Sequence, residues 1–321
     1  MVNRKERVLA AVRGGKVDQV PAGFWLHFPQ HQHQGQASIQ AHVDFFRQTN
    51  TDIVKIMNEH LVPCTSPIRK ASDWATVRPL SMSDPGVIDQ LDIIKRVTDE
   101  FGDEAVAITT IHGTIASAYH ARGGGDGYET NRYMLAAHLR ENPRVVGDAF
   151  RIIAEGMAEF TQACLQAGAQ GIYYSALGGE YSLFTDEEFA LYVKPHDLAI
   201  FAAAAQREAF NVLHICKDGV NLNRYADYHP DVVSWALHDN AMSIADARKL
   251  FPNSAILGGL DDRSGVLVEG SEREIEQAVF AVLDEAGNER FILGADCTLP
   301  TDISLARIRT AVDAVGKYAS R

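Results

Sequence analysis

Short apolar runs alternate along this chain with longer stretches in which apolar positions recur every three or four residues. The short runs are Val20–Phe28, Ile53–Met57, Ala105–Thr110, Gly171–Ala176, Phe210–Cys216, Val232–His238, Ala255–Leu260 and Phe291–Cys297. They are apolar without strict alternation, as expected for parallel strands buried on both faces. The periodic stretches predict helices over Ser38–Thr49, Ile88–Phe101, Pro143–Ala167, Thr185–Arg207, Leu222–Tyr228, Ser243–Phe251, Glu272–Ala286 and Ile303–Tyr318, after an opening helix over Asn3–Arg13. Thr185 with Glu188, and Ser271 with Glu274, have the form of capping boxes. Gly102, Gly168 and Gly287 stand where helix-ending glycines belong.

Eight strands, each followed by a helix, predict a single (β/α)8 TIM barrel over residues 1–321 with an N-terminal helical extension. An open doubly wound sheet is the competing arrangement, but no G-x-G-x-x-G joins a strand to a helix. Residues 59–87 and 111–142 are longer excursions from the barrel. The glycine run Gly123–Gly127 reads as a loop rather than a phosphate cradle, because it does not lead from a strand into a helix.

Composition narrows the function. The chain carries a net charge of −12, which argues against nucleic acid and against an anionic membrane surface. No apolar stretch approaches the length needed to span a bilayer. The basic N-terminus has no apolar segment behind it, and the four cysteines (Cys64, Cys164, Cys216, Cys297) are too scattered for a disulfide framework. A reducing cytoplasm is the expected compartment.

The chemistry concentrates in His214-Ile215-Cys216 and a distant Cys297. Imidazole nitrogen and thiolate sulfur are the ligands zinc prefers, and three protein ligands with one open position is the catalytic pattern. His214 and Cys216, two apart on a strand, point to the same face. Free cysteine is usually a small buried hydrophobe, so the pair alone is only suggestive. The third cysteine at the end of another strand strengthens the case, because a barrel gathers strand ends at one face, where active sites lie. Other polar residues fall at that level: His27, Asn58 and Glu59, His112, Glu180, Asp239 and Asp261. His112, Glu180 and Asp239 are candidates for catalysis, and His27, Asn58 and Asp261 for substrate binding. Each is also explained by a helix cap or an outer hydrogen bond. Asp261-Asp262 in particular can cap the following helix. His31-Gln32-His33 reads as a solvated loop over the barrel mouth.

The opening Arg7-Val8-Leu9-Ala10-Ala11-Val12-Arg13-Gly14-Gly15-Lys16-Val17-Asp18-Gln19-Val20-Pro21, the segment Ala167–Ile172 and the segment Ala255–Asp261 resemble the uroporphyrinogen decarboxylase superfamily over essentially the whole chain. His214, Cys216 and Cys297 resemble the zinc motif of its cobalamin-dependent methyltransferase branch, of the methylcobalamin:coenzyme M type. The arginine-rich segment of the decarboxylases has no counterpart in Trp25–Gln32, which contains no arginine. Lys217 stands where a glycine is common in the branch, and no corrinoid-domain signature is present. The resemblance implies a zinc-dependent methyltransferase with a methylcorrinoid (methylcobalamin) as co-substrate, brought free or on a separate corrinoid protein. Its acceptor is a small-molecule thiol activated as a zinc thiolate. A decarboxylase-like lyase, or a zinc methyltransferase acting on a methoxy or other methyl donor, are the alternatives. A homodimer is compatible with the sequence.

Overall fold

The computed structural model describes residues 3–59, 68–121, 128–205 and 209–321. Seven parallel strands form one curled sheet in chain order: β1 (Ile53–Ile56), β2 (Val106–His112), β3 (Gly171–Ala176), β4 (Phe210–Ile215), β5 (Val232–Trp235), β6 (Ala255–Leu260) and β7 (Phe291–Ala295). Every residue of these strands is buried except Ser175, which is half-buried. Such full burial requires helices on the outside and side chains filling the inside.

The first apolar run does not become a strand. Residues 20–28 make only two isolated parallel bridges, Ala22 to Leu293 and Leu26 to Leu299. Pro21 has no N–H to donate, which removes one rung of a ladder. The run still touches both neighbours. Gly23 N–H donates to Leu293 O at 2.9 Å, Leu293 N–H donates to Pro21 O at 2.9 Å, and Asp52 N–H donates to Ala22 O at 2.7 Å just before β1. An N-terminal clamp holds it there. The Arg7 guanidinium, on the opening helix Arg4–Val12, grips Asp18 at 2.8 Å and the buried Asp52 at 2.5 Å. Asp52 in turn accepts the Ala22 N–H at 2.8 Å. The arginine and aspartate of the opening motif therefore act in folding, at the end of the sheet away from the strand C-termini.

Most predicted helices form, with local corrections. Thr185–Arg207 is two helices, Asp186–Tyr192 and Lys194–Ala205, because Pro195 opens a new helix better than it continues one; Arg207 lies outside the described residues. Leu222–Tyr228 shortens to a 3₁₀ turn, Leu222–Tyr225. Both capping boxes are present. The excursion after β2 contains helices Thr114–Ala121 and Tyr128–Glu141, while Cys64 and the Gly123–Gly127 run lie outside the described residues. Gly171 shows why a strand here starts with glycine: a Cβ would sit 1.9 Å from the Phe210 carbonyl oxygen. One buried acid ties an outer helix to the sheet. Asp197 accepts the Tyr174 hydroxyl at 2.5 Å and the Tyr228 hydroxyl at 3.1 Å. Among the described residues, no helix is long and apolar enough to cross a membrane.

Candidate metal centre

β4 and β7 bring the three soft ligands together at the C-terminal end of the sheet. His214 is the fifth residue of β4, paired laterally with Ser175 on β3 and Ser234 on β5. Cys216 lies one residue past the strand but continues its ladder, its N–H donating to Ala176 O at 3.0 Å. Cys297 follows β7 on a turn pinned by Asp296. That buried carboxylate accepts the His238 backbone N–H at 2.7 Å and the His238 ring at 2.9 Å. The Cys216 and Cys297 sulfurs are 3.9 Å apart, and one ligand atom from each of the three residues lies within 4.8 Å of the others.

This spacing fits a tetrahedral zinc ion. Two Zn–S bonds of about 2.3 Å at the tetrahedral angle place their sulfurs about 3.8 Å apart. The histidine is set up to match. Its Nδ1 meets Ser234 Oγ at 3.2 Å, while Nε2 is buried without a hydrogen-bond partner. With Nδ1–H donated to the serine, the Nε2 lone pair is left for a ligand, the usual way an outer hydrogen bond selects a metal-binding tautomer. Without an ion, the two thiols titrate as a pair. The hydrogen bond from Cys216 to Cys297 holds the Cys297 sulfur as the thiolate, and the same bond, with burial, pushes the Cys216 thiol up. Asp262 stands near this charge. Burial and then Cys297 push its carboxyl up to about 6, although Arg263 Nε lies 2.9 Å from it.

A cavity of about 290 Å³ opens in front of the triad. Tyr173 lines it and stacks on the His214 ring at 5.2 Å, and Trp25, which is not among the lining residues, packs edge-on against Tyr173 at 4.8 Å. Against both rings lies the Lys55 amine, 4.0 Å from the centre of Tyr173 and 5.0 Å from that of Trp25. Burial pushes this amine down to about 7, against the pull of Cys297, Glu59 and Cys216. Across the cavity His112 and His120 pack edge to face at 4.7 Å. Burial keeps both neutral, His112 well below the ordinary range and His120 at about 4.

A model of the uroporphyrinogen decarboxylase (URO-D) family matches residues 54–318. The chain belongs to that family. No curated protein sequence matches it. Among solved structures, a methyltransferase from Methanosarcina mazei shares the fold with a TM-score of 0.75 at 15% identity, over 99% of each chain. A B12-independent methionine synthase from Shewanella sp. W3-18-1, in complex with selenomethionine, has a TM-score of 0.58 at 9% identity, over 94% of this chain and 97% of the other.

Within this URO-D family fold, the predicted site residues divide. His27, Asn58 and His112 line the cavity with the triad, as does Glu59, whose carboxylate meets the His27 ring at 2.9 Å. Asp239 and Asp261 do not line it. Asp239 is exposed, and Asp261 accepts the Arg263 and Ser264 backbone N–H groups and the Ser264 hydroxyl. It closes the turn ahead of the short helix Gly265–Glu269. Glu180 does not line the cavity either. It is buried in an ion pair with Arg132 and accepts the Gly178 N–H at 3.0 Å. Lys217, which strand alternation would point away from the site, lines the cavity, because its backbone turns at φ +89° once β4 has ended. The histidine tract is a 3₁₀ turn, Gln30–Gln32, and the His33 ring donates to Phe28 O at 2.7 Å. Sequence reasoning missed Lys55, Tyr173, Ser234 and His120. Only Lys55 left a signal, a cation inside an otherwise apolar strand.

Proposed function

We propose that this protein is a zinc-dependent methyltransferase that moves a methyl group between a methylcorrinoid and a small thiol. The observation that carries the reading is the preorganised triad: two sulfurs 3.9 Å apart and a buried, unpartnered imidazole nitrogen facing one cavity. A buried nitrogen without a partner costs free energy unless a ligand fills it. The fold shared with the Methanosarcina mazei methyltransferase supports the reading. The segment 20–28, touching both β7 and the start of β1, is on this reading the eighth member of a (β/α)8 barrel.

His214, Cys216 and Cys297 would hold the ion, and zinc would supply the acidity that keeps a substrate thiol deprotonated at neutral pH, where a free thiol is mostly protonated. The protein's own groups do the rest. Ser234 fixes the His214 tautomer, and Asp296 fixes the turn that presents Cys297. The Tyr173 ring, with Leu177 and Met57, gives the acceptor an apolar wall, which keeps water from the sulfur. The neutral rings of His112 and His120 face the same space without adding charge. In the transfer, the acceptor sulfur's electron pair forms the S–CH3 bond, the cobalt–carbon pair stays on cobalt, and cob(I)alamin leaves. The corrinoid is thus a co-substrate, free or carried by a separate protein.

Metal analysis of the purified wild type and of Cys297→Ser, with methylcobalamin demethylation followed as cob(I)alamin, tests this reading. Coenzyme M and homocysteine are the first thiols to try. One zinc per chain in the wild type, its loss in the variant, and thiol-dependent cob(I)alamin are expected. A carefully prepared wild type without zinc, or zinc with no thiol accepted, overturns it. In the second case a methoxy donor or a metal-independent cleavage becomes the leading reading.

A further inference from the structure

We infer that Lys55 is a nucleophile that takes a small aldehyde as a covalent imine, a modification separate from methyl transfer and independent of it. Lys55 is buried at the second-last position of β1, and it lines the cavity. As an ammonium it would carry three N–H donors, and one finds a partner, the Met57 sulfur at 3.3 Å, which is a weak acceptor. The Tyr173 and Trp25 rings, centred 4.0 Å and 5.0 Å from the nitrogen, carry no net charge to offset an ammonium. Glu59, the carboxylate that lines the cavity, is taken by the His27 ring and the Phe28 N–H. Buried cations elsewhere in the protein have acids of their own: Arg7 grips Asp52, and Arg132 pairs with Glu180. A buried ammonium without a counter-ion is costly, so the surroundings of Lys55 favour the uncharged amine. Burial accordingly holds this amine at about 7.

An uncharged lysine amine in an apolar pocket is the form that attacks a carbonyl carbon. The amine lone pair forms the C–N bond, both N–H protons pass to the carbonyl oxygen, and that oxygen leaves as water to give the C=N bond. No oxidant, reductant or metal ion enters the balance. The product suits its surroundings, because an imine removes the donors of an ammonium from a position that offers one weak acceptor. Met57, Ala116, Tyr173 and Leu177 give the aldehyde's carbon chain an apolar wall. At about 290 Å³ the cavity limits that chain to a few carbons. An aldehyde is favoured over a ketone, because the nitrogen lies against two rings and an aldehyde carbon brings one substituent toward them instead of two.

The test treats the whole protein with propanal and cyanoborohydride, which reduces an imine to a stable secondary amine, and follows each lysine by peptide mass spectrometry. At about pH 7 Lys55 is expected to gain its propyl group about tenfold to a hundredfold faster than the exposed Lys95 and Lys249, because exposed lysines titrate near 10.4 and are almost wholly protonated there. The Lys55 rate should level off above about pH 7, while the rates at Lys95 and Lys249 go on rising. Labelling of Lys55 no faster than theirs, or a Lys55 rate that climbs with theirs, overturns the inference. Lys55→Arg keeps a cation but removes the nucleophile, so the fast phase of labelling should vanish from the intact protein. A fast phase that survives in this variant belongs to another amine and equally overturns the inference. Zinc-loaded and chelator-treated protein should label alike at Lys55, and fast labelling that needs the metal would assign the activation to the metal instead of the lysine. Fast Lys55 labelling with no thiol-dependent cob(I)alamin sinks methyl transfer and leaves the imine site standing. Thiol-dependent cob(I)alamin with slow Lys55 labelling does the reverse.

Discussion

Ser234→Ala isolates the part of the metal site that no sequence motif announces. Ser234 sits opposite His214 in the β4–β5 register, and its hydroxyl is 3.2 Å from His214 Nδ1 in a fully buried position. Removing Oγ leaves the Nδ1–H without an acceptor and frees the ring to carry its proton on Nε2, where the metal must bind. Stacking on Tyr173, with the rings 22° from parallel, still limits rotation, so the site should weaken rather than vanish. Loss of an outer hydrogen bond to a metal-binding histidine typically costs 10- to 100-fold in affinity, about 1.4–2.8 kcal/mol. An unpaired buried donor also costs the metal-free fold about 1–3 kcal/mol. Zinc affinity is measured by competition with a chromophoric chelator, and metal-free stability by urea unfolding. Ser234→Thr, which keeps a hydroxyl, should recover most of both. Zinc affinity in Ser234→Ala within twofold of wild type would refute the assignment of Nε2 as the ligand atom.

Other positions give sharp expectations. Burial, against the Tyr174, Tyr228 and Thr114 hydrogen bonds, raises the Asp197 carboxyl to about 7. The unfolded carboxyl ionises near 3.9, so between pH 4 and 7 the unfolded state sheds a proton that the native state keeps, and stability falls as pH rises, by about 4 kcal/mol in all. Asp197→Asn should remove that slope, so its urea-unfolding free energy relative to wild type should rise steadily from pH 4 to 8, and parallel profiles would contradict it. Arg7→Met leaves Asp52 buried without its guanidinium and should cost about 2–4 kcal/mol of stability, much of it recovered when Asp52→Asn is added. Lys217→Gly relieves a non-glycine backbone at φ +89° and should raise stability by about 0.5–1 kcal/mol, net of the entropy glycine adds to the unfolded chain; a lower melting temperature counts against it.

The architecture was legible where the physics is local. Seven of the eight apolar runs are strands in the predicted order, because continuous burial on both faces demands continuous apolar character. The run at 20–28 is equally apolar but fails as a strand, since Pro21 lacks the N–H a ladder needs and Leu293 meets it only at intervals. Alternation also misled at Lys217, where β4 had already ended and the chain had turned. Asp239 and Asp261 stood at strand ends in the sequence, but Asp239 is exposed and Asp261 satisfies three donors within its own loop.

The triad was legible for a different reason. Histidine and cysteine at strand ends are scarce enough to be noticed, but nothing local sets the distance between two strands that are not neighbours. β4 and β7 are three positions apart in the sheet. In a flat sheet that separation is about 14 Å, too far for one ion. The Cys216 and Cys297 sulfurs are nevertheless 3.9 Å apart, which requires the sheet to curl and both side chains to reach inward across its C-terminal end. The same curl brings Lys55 from β1 and Tyr173 from β3 to the cavity in front of them. Their roles depend on that long-range closure and on lateral register, which is why Ser234 and Lys55 emerge only from the folded chain. At the opposite end of the sheet the clamp of Arg7, Asp18 and Asp52 ties the segment 20–28 to the start of β1, where it can support that closure. Arg7→Met should therefore weaken zinc binding as well as the fold, although no atom of Arg7 lines the cavity. If Arg7→Met, studied well below its unfolding transition, binds zinc as tightly as wild type, the clamp stabilises the fold without setting the geometry of the site.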